Sequence, residues 1–151
     1  MATAGRGFRA ELVAPYLVAC AVFFAGQSSA AEDTLFVSER ITPHGEYTAG
    51  IEGPAVDASG NLYVVNFQQS GNIGKLAAGA SQSEFFTSLP VGSIGNGIRF
   101  DRQGRMYVAD YRKHNVWVIE RGETTPRVYF HSDRFNQPND LAIAADGTPY
   151  A

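Results

Sequence analysis

Three stretches of the chain follow one pattern: "EGPAVDASGNLYVVN" from Glu52, "NGIRFDRQGRMYVAD" from Asn96 and "NDLAIAADGTPYA" from Asn139. Gly60, Gly104 and Gly147 occupy one place in it, 44 and 43 residues apart, and Tyr63, Tyr107 and Tyr150 recur at the same spacings. An internal repeat of this length constrains the fold more than any other feature of the chain. Each copy must form the same supersecondary unit, and one copy alone cannot bury its apolar face.

Each copy opens with a short apolar run (Pro54 to Val56, Gly97 to Phe100, Leu141 to Ala144), then a Gly-containing tight turn. A second run follows, "NLYVV" or "RMYVA", whose aromatic and β-branched content suits a pleated, buried surface. The two complete copies add "NIGKLA" and "SEFFTS", and "NVWVIE" and "RVYFH". Four short strands per repeat of roughly 40 to 50 residues, without helical periodicity, predict an all-β chain built as blades of a β-propeller. The alternative is a β-sandwich with coincident turn spacing. The repeats run over 51–94, 95–137 and 138–151, after a leading segment, 32–50, in which "DTLFVSER" (Asp33 to Arg40) reads as a strand. Propellers close on themselves with about 4 to 8 blades. Two and a half blades therefore read as a fragment, whose missing blades would lie beyond Ala151.

In a propeller the first strand of every blade lines the central tunnel, and the turn entering it sits at the tunnel mouth. Stepping from Glu52 by 44 and then 43 residues reaches Asn96 and Asn139. One carboxylate and two amides are thus expected around a common axis. Oxygen donors of this kind suit a hard cation such as Ca²⁺, which takes about 6 to 8 of them. Soft metals would call for Cys or clustered His. Polar turn residues that hydrogen-bond water are the competing reading, and Asn96, within "GNG", fits that reading most easily.

Residues 1–31 read as a cleavable export signal: Arg6 and Arg9 precede an apolar core from Leu12 to Gly26, and "QSSAAE" offers cleavage after Ala30 or Ala31. The core of 15 residues is short of the ~20 needed to span a membrane. "LVAC", ending at Cys20, also resembles a lipoprotein box. A periplasmic or secreted location is expected, with lipid anchoring as the alternative. The single Cys lies in the signal, so the mature chain has no disulfide and depends on its core. Past Ala31, ten Lys/Arg stand against fourteen Asp/Glu, without a basic cluster for binding nucleic acid. A small-molecule ligand is expected. The sequence leaves the oligomeric state open.

"EGPAVD…GNLYVVN" and "RFNQPNDLAIAADGTPYA" resemble the gluconolactonase, senescence-marker-protein and luciferin-regenerating-enzyme-like family of six-bladed propellers. The resemblance spans about Ile51 to Ala151. It implies a divalent-metal-dependent lactonase, a hydrolase of sugar lactones or related cyclic esters. Glu52 would be a metal ligand, Asn139 a ligand or substrate contact, and Asn96 a substrate-contacting residue. Ca²⁺ is the cation expected, with Mg²⁺, Mn²⁺ or Zn²⁺ as alternatives. Further ligands and the general base would lie past Ala151, which leaves the catalytic residues unassigned and this chain inactive alone. "NGIRFDRQGRMYVADYRKHNVWVIE" also resembles an NHL repeat, which implies a binding scaffold without catalysis.

Other polar residues have plainer expectations. Asp57, Asp101 and Asp146 read as turn formers, Asp110 as the fastener of the hairpin "DYRKHN", and His44, His114 and His131 as loop residues. Asp140 follows Asn139 and is a candidate neighbour of the site, though its side chain is expected to point away from that of Asn139 if the strand has begun there. No phosphate-binding Gly loop leads into a helix, and no G-x-S-x-G elbow is present.

Overall fold

The computed structural model describes residues 37–151. The export segment and the first part of the expected leading strand lie outside the described residues. Of that strand, Val37 to Arg40 carry no β-structure, and among the described residues backbone pairing starts at Tyr47, which bridges Phe67.

Among the described residues every regular element is a strand. Strands β1 (Ala55–Val56), β2 (Leu62–Val65), β3 (Asn72–Leu76) and β4 (Glu84–Ser88) form the first sheet in chain order. Strands β5 (Gly95–Phe100), β6 (Met106–Asp110), β7 (Asn115–Ile119) and β8 (Arg127–His131) form the second sheet in the same order. A third sheet pairs β9 (Ala142–Ile143) with β10 (Pro149–Tyr150). All pairings are antiparallel. No helix among the described residues is long and apolar enough to cross a membrane.

The first hairpin of each repeat is the same object. The N–H of Asp57 donates to the carbonyl of Asn61 and that of Gly60 to the carbonyl of Asp57. The same pair of bonds recurs at Asp101, Arg105 and Gly104, and again at Ala144, Thr148 and Gly147. The turn glycines have φ of +83°, +83° and +91°. A side chain is disfavoured in that region, which is why glycine recurs at this place. The Asp57 carboxylate accepts from the backbone N–H groups of Ser59 and Asn61, and that of Asp101 from Gln103 and Arg105. Each also accepts the phenol of its repeat's tyrosine, Tyr63 at 3.2 Å and Tyr107 at 3.3 Å. Burial, with the carboxylate alongside, pushes both phenols up to about 12. The third repeat has Ala144 in place of the aspartate, and Asp146 instead accepts the N–H of Thr148.

The core lies between successive sheets. Tyr63, Val65, Ile73 and Leu89 meet Ile98, Met106, Val108, Trp117 and Ile119 in one cluster. Tyr107, Ala109, Val116 and Val118 meet Leu141, Phe135 and Ile143 in the next. The second sheet is thus covered on both sides, and β6 and β7 are buried throughout. Strand β5 packs against β1 and β2 on one side and β9 on the other, so the opening strands of successive repeats are neighbours.

One repeat position is filled in two ways. Trp117 in β7 fills its own site and donates its indole N–H to Asp110. Its counterpart in β3 is Gly74, where an added Cβ would meet the Tyr47 hydroxyl at 2.7 Å and the Phe67 ring at 2.8 Å. Two rings from elsewhere in the chain, packed edge to face at 5.5 Å, occupy the space of the absent side chain.

Asp110 is fully buried at the end of β6. Its Oδ1 accepts the N–H groups of Ile94, Arg112 and Lys113, and its Oδ2 accepts the indole of Trp117 at 2.9 Å. The side chain therefore ties the hairpin after β6 to β7 and to the turn before β5.

Candidate functional site

Glu52, Asn96 and Asn139 come together at the entry ends of the three opening strands. They line one cavity of about 220 Å³ with Arg99 and Asp140. Backbone bonds set each in place. The carbonyl of Glu52 accepts the N–H of Val65 at 3.3 Å, and the carbonyl of Asn139 accepts the N–H of Gly97 at 2.8 Å. Asn96 sits in a register shift of β5 between Gly95 and Ile98. A bulge of this kind re-aims a side chain that regular pairing would direct elsewhere. It also starts β5 earlier than the expected Gly97. The amide of Asn96 donates to Oδ1 of Asn139, joining two of the three residues across repeats.

Close approach of the repeats depends on the residue after each of the first two. A Cβ on Gly53, at φ +55°, would lie 2.8 Å from the carbonyl carbon of Asn96 and nearer still to its oxygen. A Cβ on Gly97 would lie 2.8 Å from the Cα of Asp140. Glycine is required at both because the next repeat's backbone passes directly over it.

Asp140 sits beside the site, as its place after Asn139 allows. It lies before β9 begins at Ala142, so strand alternation does not apply, and it lines the cavity beside Asn139. Its Oδ1 accepts the N–H of Leu141 at 2.8 Å and its Oδ2 pairs with the guanidinium of Arg99. Arg99, a cavity residue that sequence reasoning missed, also donates Nη1 to the carbonyl of Ile98 at 2.6 Å. A signal for it exists: the equivalent repeat positions hold Ala55 and Ala142, so a large cation there is a departure from the pattern. The histidines stay outside the cavity. His131 closes β8 rather than sitting in a loop, with Nδ1 2.8 Å from the Asn115 amide oxygen.

The cavity holds two carboxylates and one guanidinium. Asp140 is engaged by Arg99, whereas Glu52 is exposed and takes part in no ion pair among the described residues. Among the described residues no three His, Cys, Asp or Glu side chains converge. A cation held here would therefore use carboxylate and amide oxygens together. Those present fit a hard cation as a partial set: Glu52 offers a free carboxylate, and Asn139 Oδ1 keeps one lone pair after accepting from Asn96.

A larger cleft, about 380 Å³, lies at the opposite ends of β1 and β5, beside Tyr63, Phe86 and Phe100. Its turn carboxylates, Asp57 and Asp101, are held by their own hairpins, so the smaller cavity presents the freer oxygen donors. No protein-family model matches the chain, and no curated protein matches it in sequence.

Proposed function

We propose that the chain carries the metal-binding part of an exported lactonase-like hydrolase, with its sheets arranged as blades of a six-bladed β-propeller. The observation that carries this reading is that Glu52, Asn96 and Asn139, one repeat position in three successive copies, line a single cavity. The blade reading is supported by two four-stranded meanders in identical order and by the adjacency of β1, β5 and β9. A Greek-key sandwich would return a strand to a partner distant in the chain. The residues implied by the resemblance all bring oxygen donors to the cavity, and the export reading rests on residues 1–31.

In this reading a bound dication supplies Lewis acidity, polarising the carbonyl of a cyclic ester and stabilising charge that develops on its oxygen. Glu52 contributes the anionic anchor. Asn139 offers its remaining lone pair, and Asn96 orients Asn139 through its amide. Gly53 and Gly97 keep the three at working separation.

Ca²⁺ is expected to raise the melting temperature of the protein, because a ligand that binds only the folded state stabilises it by about 2.7 kcal/mol at a hundredfold excess over Kd. Glu52→Gln, which keeps the shape and removes the charge, is expected to abolish the shift while leaving the metal-free melting temperature within about 1 °C of wild type, since an exposed, unpaired side chain adds little stability. An equal Ca²⁺ shift in the variant, or none in the wild type with Ca²⁺, Mg²⁺, Mn²⁺ or Zn²⁺, defeats the proposal.

A binding scaffold of the NHL type is the second reading. It is favoured by the bond between Asn96 and Asn139, which satisfies part of the amide pair without any ligand.

A further inference from the structure

The Arg99–Asp140 pair departs from the repeat twice, and the two departures touch. The repeat places Ala55 and Ala142 where Arg99 stands, and Gly53 and Gly97 where Asp140 stands. A pairing needed to hold successive repeats together would recur between the first and second copies. There the same positions are Gly53, Ala55 and Gly97, with no charged side chain at any of them. The pair is therefore special to one side of the cavity.

Its geometry holds a guanidinium still. Asp140 is anchored by the N–H of Leu141 and covers Gly97, and it binds Nη2 of Arg99 while the carbonyl of Ile98 binds Nη1. Two of the five guanidinium donors are accounted for this way. The Arg99 side chain remains 38% exposed, on the cavity that also holds Glu52, Asn96 and Asn139. A fixed, planar fork with spare donors matches a carboxylate bidentately, which a lysine in its place would not.

We infer that Arg99, positioned by Asp140, makes this cavity select ligands that carry a carboxylate. Under the lactonase reading, on which the inference rests, the substrate is a lactone bearing a free carboxylate besides its ring ester. Hydrolysis adds water across the ring acyl–oxygen bond, giving a hydroxyl and a second carboxylate and releasing a proton. The carboxylate bound by Arg99 is unchanged. Its role is to orient the ring towards Glu52 and Asn139.

The test titrates the whole protein, with EDTA present, against glucaro-1,4-lactone and neutral glucono-1,5-lactone, followed by amide NMR shifts at Asn96, Gly97 and Asn139. The wild type is expected to bind the acidic lactone about tenfold more tightly, the worth of one charge-assisted bidentate contact. Arg99→Gln is expected to erase the difference by weakening the acidic ligand alone. If that variant unfolds, Arg99→Lys, which keeps the charge and loses the fork, carries the test and is expected to shrink the preference. An undiminished preference in a folded variant overturns the inference, as does equal binding by the wild type. A Ca²⁺ shift that survives either result leaves the metal reading standing. Failure to bind either lactone, with no Ca²⁺ shift, removes both.

Discussion

Alanine at position 53 is expected to cost about 3 kcal/mol or more, enough to lower the melting temperature by roughly 10 °C or more in a domain of this size. The added methyl would meet the backbone of Asn96 rather than a yielding side chain, at a residue already at φ +55°. Relief requires the first two repeats to move apart at the cavity, which separates Glu52 from Asn96. The Ca²⁺ shift is therefore expected to fall together with stability. Gly60→Ala is the matched control. Its φ is +83°, but its Cβ would meet only the Ala78 methyl at 3.5 Å. It is expected to cost about 1 kcal/mol, the conformational term alone, and to leave the Ca²⁺ shift intact. Urea unfolding of both variants measures the contrast, and equal losses would refute the close-approach argument.

Asp110→Ala is expected to be at least as damaging. The substitution strands the N–H groups of Ile94, Arg112 and Lys113 and the indole of Trp117 around a fully buried position. Buried polar groups without partners cost about 1–3 kcal/mol each, and partial access of water still leaves a loss of roughly 3–5 kcal/mol. Against a typical total of about 5–15 kcal/mol, that threatens the fold. Charge has a separate signature. Burial pushes the Asp110 carboxyl up, but the Ser93 hydroxyl, the Trp117 indole and the backbone N–H groups of Lys113 and Arg112 outweigh it and hold the group below the usual carboxylate range. Its contribution is complete above the unfolded value of about 3.9 and is lost as pH falls through the lower folded value. Asp57 and Asp101 shift in the same direction, so the comparison with Asp110→Asn isolates this one group. The stability gap between wild type and that variant should narrow as the pH is lowered through that range. A gap independent of pH would show that the charge contributes nothing.

Asp110 could be read from the sequence because its hydrogen bonds to Arg112 and Lys113 are local, within the hairpin it closes. The hairpin glycines are legible for the same reason: a left-handed residue is demanded three residues after a turn-forming aspartate in two copies, and the glycine itself recurs in all three. The convergence of Glu52, Asn96 and Asn139 needed only the repeat period, since equal positions in stacked units must lie near one another. Contacts between unlike positions were not legible. Arg99 reaches Asp140 across 41 residues, and neither residue belongs to the pattern that aligns the copies. Asp140 is legible only as a neighbour of Asn139, because its side-chain direction depends on where the strand starts, and β9 starts two residues later. The bulge at Asn96 left no mark in hydrophobic alternation, because "GNG" reads equally as a turn.

Gly74 carries a consequence for where the cooperative body begins. Its missing side chain leaves a groove that only Tyr47 and Phe67 fill, and Glu46 and Tyr47 fasten onto Ser83 on the neighbouring hairpin. Asn66 donates to the carbonyl of Gly50 just before Glu52. A chain trimmed to start at Glu52 would keep every strand but expose the Phe67 ring and lose the tether behind its own carboxylate. Residues 46–51 therefore act as a buckle behind Glu52, joining the chain before it to two hairpins.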